Sequence, residues 1–263
     1  MKKIAVITGG SSGIGLATAQ YFLSKGYAVY ELSRRDSDNA GVIHMYADVT
    51  APDSVQNAID FIIANEGKID VFVANAGMGI SGAVEGTDIT DVKKIFDVNV
   101  FGMINSINAV VPFMRRNGGG KIVCVSSVAS IASIPFQTFY SMTKSSVNSL
   151  VLGLRNELKP FNIKVCAVMP GDVKTGFTDA REKSTASLPE YEGRIERSVA
   201  QMEHDERSGM DPKRIAKRIY KQANCKNPKP LISVGAGYRL ICALLKILPS
   251  SFANWIVGLI YSK

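Results

Sequence analysis

"KIAVITGGSSGIG", residues Lys3 to Gly15, passes without a break from five apolar or β-branched residues into a turn that holds four glycines. A short apolar run bounded by glycine reads as a buried strand. Glycines at 9, 13 and 15 permit a tight turn in which backbone N–H groups, and the amino end of the helix that follows, approach a pyrophosphate. Gly9, Ser11, Ser12, Gly13, Ile14 and Gly15 are the residues of that turn. A glycine turn alone means little. Set directly between a first strand and an amphipathic helix, it is read as a nucleotide site.

The same alternation continues down the chain. AVYELS, VIHMYAD, IDVFVANAG, KIVCVSS, KVCAVMPG and PLISVG are strand-like, helical spacing fills 14–25, 52–65, 88–116 and 139–159, and two further helical segments follow a polar stretch. Near-continuous apolar strands joined by helices imply a parallel sheet covered on both faces. The expected fold is α/β: a single Rossmann-type, doubly wound parallel sheet of about seven strands over 1–237, with an apolar helical extension over 238–263. Ligands of such sheets bind beyond the carboxyl ends of the strands. The unusual residues cluster there: Thr8 to Gly15, Ser33 to Arg35, Asp48, Asn75 to Gly77, Ser126 with Ser127, and Pro170 with Gly171.

At 263 residues and 46% apolar content the chain can bury one large core, and no repeat or long block of like charge interrupts it. Cys124, Cys166, Cys225 and Cys242 are widely separated, and His44 and His204 stand alone, so no metal site is expected. The net charge of +8 raises nucleic acid as a partner, but no run interleaves basic and aromatic residues, so none is expected. MKKIAVITGG is too short in its apolar run for a signal peptide, which points to the cytoplasm or the cytoplasmic face of a membrane.

"YSMTK", Tyr140 to Lys144, lies in a segment with helical apolar spacing, which puts phenol and ammonium on one face at i and i+4. A unit charge about 4 Å away at an effective dielectric near 20 is worth roughly 4 kcal/mol, enough to bring a phenol toward proton exchange near neutrality. Alone, the pair reads as an ordinary surface contact.

Its company decides. "TGGSSGIG", "ADVT" at 47–50, "NAG" at 75–77, "NVFG" at 99–102, "SS" at 126–127, "YSMTK" and "PGDVKT" at 170–175 follow in the order and spacing of the short-chain dehydrogenase/reductase family, which the chain resembles from Lys3 to about Thr175. The resemblance implies carbonyl and alcohol interconversion on a nicotinamide cofactor. It makes Tyr140 the acid/base, Lys144 the group that lowers the phenol pKa and holds the nicotinamide ribose, Ser127 the holder of the substrate oxygen, and Asn99 the anchor of a water in the proton path. Thirteen residues separate Ser127 from Tyr140, which selects it over Ser126 and Ser130. Asp48 and Val49 would meet the adenine. Asn75, Ala76 and Gly77 would line the middle of the cofactor, Asn75 being equally open to a structural role. Pro170, Gly171, Val173 and Thr175 would contact the nicotinamide carboxamide. Where family members that bind NAD carry an acid, this chain has Ser33 followed by Arg34 and Arg35. A hydroxyl and a guanidinium suit a 2'-phosphate, so NADPH/NADP+ is the expected cofactor, with Glu31 lying too deep on the strand to serve the ribose.

Residues 179–224 are expected to form the substrate lid, loosely packed from Asp179 to about Met210 because that stretch is polar. "YRLICALLKILPSSFANWIVGLIYSK" adds two apolar runs separated by Pro249, each too short to span a bilayer. For it the sequence leaves open peripheral membrane contact through 238–263, packing against the core or cleft, and an oligomer contact. A hydrophobic carbonyl substrate is expected, of the keto-lipid, 3-keto sphingoid base, steroid or retinoid kind. A small soluble ketone, sugar or polyol is the alternative, and a non-catalytic NADP-binding sensor a further one. No anion clamp demands a sugar phosphate or acyl-carrier substrate, although Arg181, Lys183 and Arg194 could supply one. A homo-oligomer, specifically a dimer, is expected.

Overall fold

The computed structural model describes residues 2–35, 39–184, 186 and 188–261. Residues 185 and 187 of the expected lid and 262 and 263 of the extension lie outside the described residues. The elements run β1 (Ile4–Thr8), α1 (Gly13–Leu23), β2 (Ala28–Ser33), β3 (Ile43–Tyr46), α2 (Pro52–Glu66), β4 (Val71–Ala74), β5 (Ile80–Ser81), α3 (Ile89–Phe96) and α4 (Gly102–Arg116). They continue with β6 (Gly120–Val125), α5 (Thr138–Glu157), β7 (Ile163–Met169), β8 (Glu182–Lys183), α6 (Arg194–Arg207), α7 (Pro212–Ala223), β9 (Leu231–Ser233), α8 (Ala236–Ile247) and α9 (Ser250–Tyr261). Seven strands form one parallel sheet in the order β3-β2-β1-β4-β6-β7-β9. The doubly wound sheet expected from the alternation is the fold observed.

Two apolar layers cover it. On one face Val6, Leu32, Phe72 and Ile122 of the strands pack with Ile59 of α2, Val110 of α4 and Val147 of α5. On the other, Ile7, Val29, Val73 and Val168 pack with Phe22 of α1 and Ile215 and Ile219 of α7. Both isoleucines of α7 are fully buried, and such a side chain contributes about 2 kcal/mol over leaving it in water. Of the expected lid, 179–224, the part in α7 is therefore scaffold.

The expected 88–116 helix is interrupted. Asp97–Phe101 form a π-helical turn between α3 and α4, a local widening that is frequent at functional sites. Ile89–Arg116 is also the one described helical stretch long and apolar enough to cross a bilayer, but α4 turns Met103, Ile107, Val110 and Met114 into the core.

Candidate active site

Strand order reverses between β1 and β4, so the turn after β1 and the segment after β4 face one another across the crevice. Thr8 Oγ1 accepts from the backbone N–H groups of Asn75 (3.0 Å) and Ala76 (3.1 Å). In return Asn75 Nδ2 donates to the carbonyls of Thr8 (3.0 Å) and Gly9 (3.1 Å). Both amide hydrogens of Asn75 are spent on the turn, which makes it a clamp on the turn's shape. A Cβ at Gly15 would run into the Gly9 carbonyl and stand 2.6 Å from Asn75 Nδ2. Gly13 adopts φ +54° with Thr175 beside it, so the far end of the expected cofactor segment, 170–175, closes onto the glycine turn. This bare-backbone cradle at the amino end of α1 fits a dinucleotide pyrophosphate.

At the end of β2, Ser33 is half-buried and donates to the Arg35 carbonyl at 2.7 Å, while Arg34 and Arg35 are exposed. Glu31 is buried beneath Gly10 and contacts His44 on β3. His44 thus serves as the partner of Glu31, which is 1% exposed. Asp48 Oδ1 accepts from Thr50 N (2.9 Å) and Thr50 Oγ1 (2.7 Å). Burial is the largest single influence on Asp48 and pushes its carboxyl up, but the Thr50 bonds and the Arg34 charge together bring it below the usual range. The Arg34 side chain therefore acts electrostatically on the expected adenine end of the cleft. Val49 is buried against Gly102, and its carbonyl accepts from Asn105.

Tyr140 and Lys144 sit one turn apart on α5. Lys144 is buried, donates to the Val125 carbonyl at 3.1 Å and lies 5.6 Å from the Tyr140 ring centroid. Burial depresses its ammonium to about 8. Burial also pushes the Tyr140 phenol up to about 12, opposed by a Ser127 hydrogen bond and the Arg181 charge and reinforced by Glu206 and Asp172. Lys144, expected to lower the phenol, is not among the groups that shift it here. Ser127 stands at the head of a short turn, with Oγ accepting from Ala129 N at 3.1 Å. Its rivals have other work: Ser126 donates to the Lys144 carbonyl at 3.2 Å, and Ser130 bonds Asn148 at 2.6 Å.

Asn99 lies in the π turn, fully buried. Its Oδ1 accepts from Met78 N (2.8 Å), and its Nδ2 donates to the Met78 carbonyl (2.9 Å) and Thr143 Oγ1 (3.1 Å). Both amide hydrogens are thus committed, which leaves the second lone pair of Oδ1 for the water expected there.

Several residues of this site carry no sequence signal. Phe177 meets the Tyr140 ring at 5.7 Å between centroids. Arg181 stacks on Phe177 at 5.8 Å and pairs with Glu206, which also accepts from Thr178 at 2.7 Å. The expected loose packing of the lid is corrected here: Arg181, Ser198, Val199 and Met202 are buried, and β8 pairs with β5. Of the possible anion clamp, Arg181 is paired with Glu206, and Lys183 with Glu203 at 2.6 Å. Pro170 and Val173 hold the loop through Val128 N and a bridge to Met210. Gly171 is flat against the Tyr238 ring of α8, whose hydroxyl bonds the Asp172 carboxylate. Arg181 and Glu206 lie 25 residues apart and Asp172 and Tyr238 lie 66 apart, too far for a local periodicity to link them. Chemically, the set joins a half-buried phenol that keeps its proton at neutral pH to a serine hydroxyl. Such a pair can hold a carbonyl oxygen and protonate it.

A family model described as short chain dehydrogenase matches residues 3–186. A 3-ketodihydrosphingosine reductase of Bacteroides thetaiotaomicron is 39% identical over 264 residues, covering 99% of this chain and 98% of that protein. An NADPH-dependent 1-acyldihydroxyacetone phosphate reductase of Saccharomyces cerevisiae is 34% identical, covering 72% of this chain and 68% of the yeast protein. The crystal structure of a short-chain dehydrogenase from Streptomyces avermitilis superposes with a TM-score of 0.84 at 26% identity, covering 97% of this chain and 96% of that one.

Proposed function

Because the chain belongs to the short-chain dehydrogenase/reductase family, and so is an oxidoreductase of carbonyl and secondary alcohol groups, we propose that it reduces the ketone of a hydrophobic, lipid-like substrate with NADPH. A 3-keto sphingoid base is the substrate class that fits best. One observation carries this reading. The similarity to the 3-ketodihydrosphingosine reductase extends over 99% of the chain and therefore includes α8, whose Tyr238 lies against Gly171 and Asp172, and α9, whose Tyr261 reaches Asp205 of α6. The immediate surroundings of Tyr140 suit an amphiphile. Asp172, half-buried beside Tyr238, offers a charged partner to a polar head, and the apolar helices α8 and α9 border the way out for a chain.

The glycine turn, with Ser33, Arg34 and Arg35 toward a 2'-phosphate, would hold NADPH, and the chemistry the cofactor would bring when bound is the hydride for the carbonyl carbon. Ser127 Oγ holds the carbonyl oxygen, and Tyr140 donates the proton that completes the alcohol. Lys144, kept out of solvent beside the phenol, holds the cofactor ribose. In this reading Asn99 anchors the water that reprotonates the site. The enzyme works as a homodimer in the cytoplasm and touches a membrane through 238–263. A sedimentation mass of a single chain would remove the dimer from this picture.

Two measurements test it. NADPH consumption with full-length protein should be faster per molar substrate for a long-chain 2-amino-3-ketone than for a short ketone of the same head. Equal or inverted preference would favour the alternative of a small soluble ketone, sugar or polyol. Arg34→Asp should weaken NADPH at least tenfold relative to NADH, since a like charge would then face the phosphate. An unaltered ratio would move the phosphate contact to Arg35 or beyond.

A further inference from the structure

From Pro212 to Lys263 the chain contains ten lysines and arginines and no aspartate or glutamate. With a total of +8, everything before Pro212 is slightly acidic, so the positive charge of the molecule is concentrated in its last fifth. α8 and α9 belong to that end.

A helix on a folded domain turns its apolar stripe toward the core. These two do the reverse. Leu240, Leu244 and Ile247 on α8 stand at i, i+4 and i+7, and Phe252, Trp255 and Leu259 on α9 stand at i, i+3 and i+7. All six are exposed, Ile247 by 81% and Trp255 by 55%, and Ile241 and Ile260 widen the stripes. The opposite sides are anchored. Cys242 is buried, Tyr238 is wedged against Gly171 and Asp172, and the Tyr261 hydroxyl reaches the Asp205 carboxylate of α6 at 3.5 Å. One side of the pair thus walls the cleft while the other offers apolar side chains to the outside. Exposed cations border it: Arg239 and Lys246 on α8, and Lys213 and Arg214 in the first turn of α7. That turn follows Met210, which packs at Gly235 where α8 begins.

We propose that α8 and α9 dock the enzyme on an anionic phospholipid bilayer. The exposed stripes enter the acyl boundary, Arg239, Lys246, Lys213 and Arg214 meet lipid phosphates, and the cleft opens beside the surface that holds its substrate. At 12 residues each, the helices are about 18 Å long and lie on the bilayer without spanning it. Charge decides the occupant. The two helices themselves carry Arg239 and Lys246 and no acid, so a second copy seated stripe to stripe would set like charges together, whereas an anionic lipid surface complements them. The proposal takes its purpose from the keto-lipid reading, but its test stands apart from it.

Trp255 is the one tryptophan of the chain and reports on the face directly. With vesicles of phosphatidylcholine and phosphatidylglycerol its emission should move to the blue and be quenched by brominated acyl chains. Phosphatidylcholine alone should do less, and added salt should weaken the effect. Leu244→Glu combined with Ile247→Glu should lower vesicle partitioning roughly tenfold or more and leave turnover of a short soluble ketone unchanged. Absence of any spectral change and of co-sedimentation with anionic vesicles overturns the proposal. So does a blue shift that grows with protein concentration without vesicles, which would mean that a second copy covers the face. Reduction of the long-chain ketone in detergent without docking would sink this inference and spare the reductase reading. Docking without reduction of any long-chain ketone would do the opposite.

Discussion

Tyr140→Phe is expected to lower ketone turnover by about 10²- to 10⁴-fold, the range supplied by a positioned general acid, while NADPH binding persists. The phenol is pushed up to about 12, chiefly by burial, so it stays protonated through the neutral range and is ready to give a proton in the reductive direction. Removing only the hydroxyl leaves the ring against Phe177 and the α5 packing intact, so loss of fold does not explain loss of rate. Steady-state kinetics with a folding check by circular dichroism measures this. A variant retaining more than a tenth of the activity would assign the proton to another group, with Ser127 the nearest one available.

The second large effect is on stability. Lys144 is 4% exposed, and burial depresses its ammonium from 10.5 to about 8. Below pH 8 the group is charged both folded and unfolded, and the folded chain carries the whole cost of the buried charge. Between 8 and 10.5 the folded chain gives up a proton that the unfolded chain keeps, so this group makes stability rise with pH in that window. The cost at neutral pH is about 3 kcal/mol, and loss of the bond to the Val125 carbonyl offsets about 1 kcal/mol of what removing it would return. Lys144→Met should therefore abolish turnover yet raise the Tm of the protein without cofactor at pH 7 by several degrees. That advantage should shrink by pH 10. Thermal unfolding at the two pH values measures it, and a variant less stable than the parent at pH 7 would mean that the ammonium is not buried at a cost.

The sheet was legible because its inner strands, β1, β4, β6 and β7, are buried on both faces and so are written as continuous apolar runs, KIAVIT and KIVCVSS being the plainest. Order along the chain and the handedness of parallel crossovers then leave few topologies. The glycine turn was legible for a similar reason, since backbone that must approach Gly9 O and Asn75 leaves only glycine at 15. What stayed hidden depends on distant side chains. The π turn at Asn99 is a one-residue defect inside a regular helical pattern. The short β5–β8 pair joins segments about 100 residues apart through two residues each, too few for a period to appear. Arg181 reads as a surface cation until Glu206 and Phe177 fold over it, and Tyr238 as a helix residue until Gly171 receives its ring. The tail displayed its apolar spacing in sequence but not its phase. The same stripe describes a helix facing in or out, and here its anchoring residues are Tyr238, Cys242 and Tyr261.

The most direct measurement supplies full-length protein with a long-chain 3-keto sphingoid base and NADPH carrying deuterium at the transferred position, and weighs the product. The account predicts a 3-hydroxy product with one deuterium on the carbinol carbon, formed by the parent and not by Tyr140→Phe. Unchanged ketone after prolonged incubation, from protein shown to bind NADPH, would contradict it.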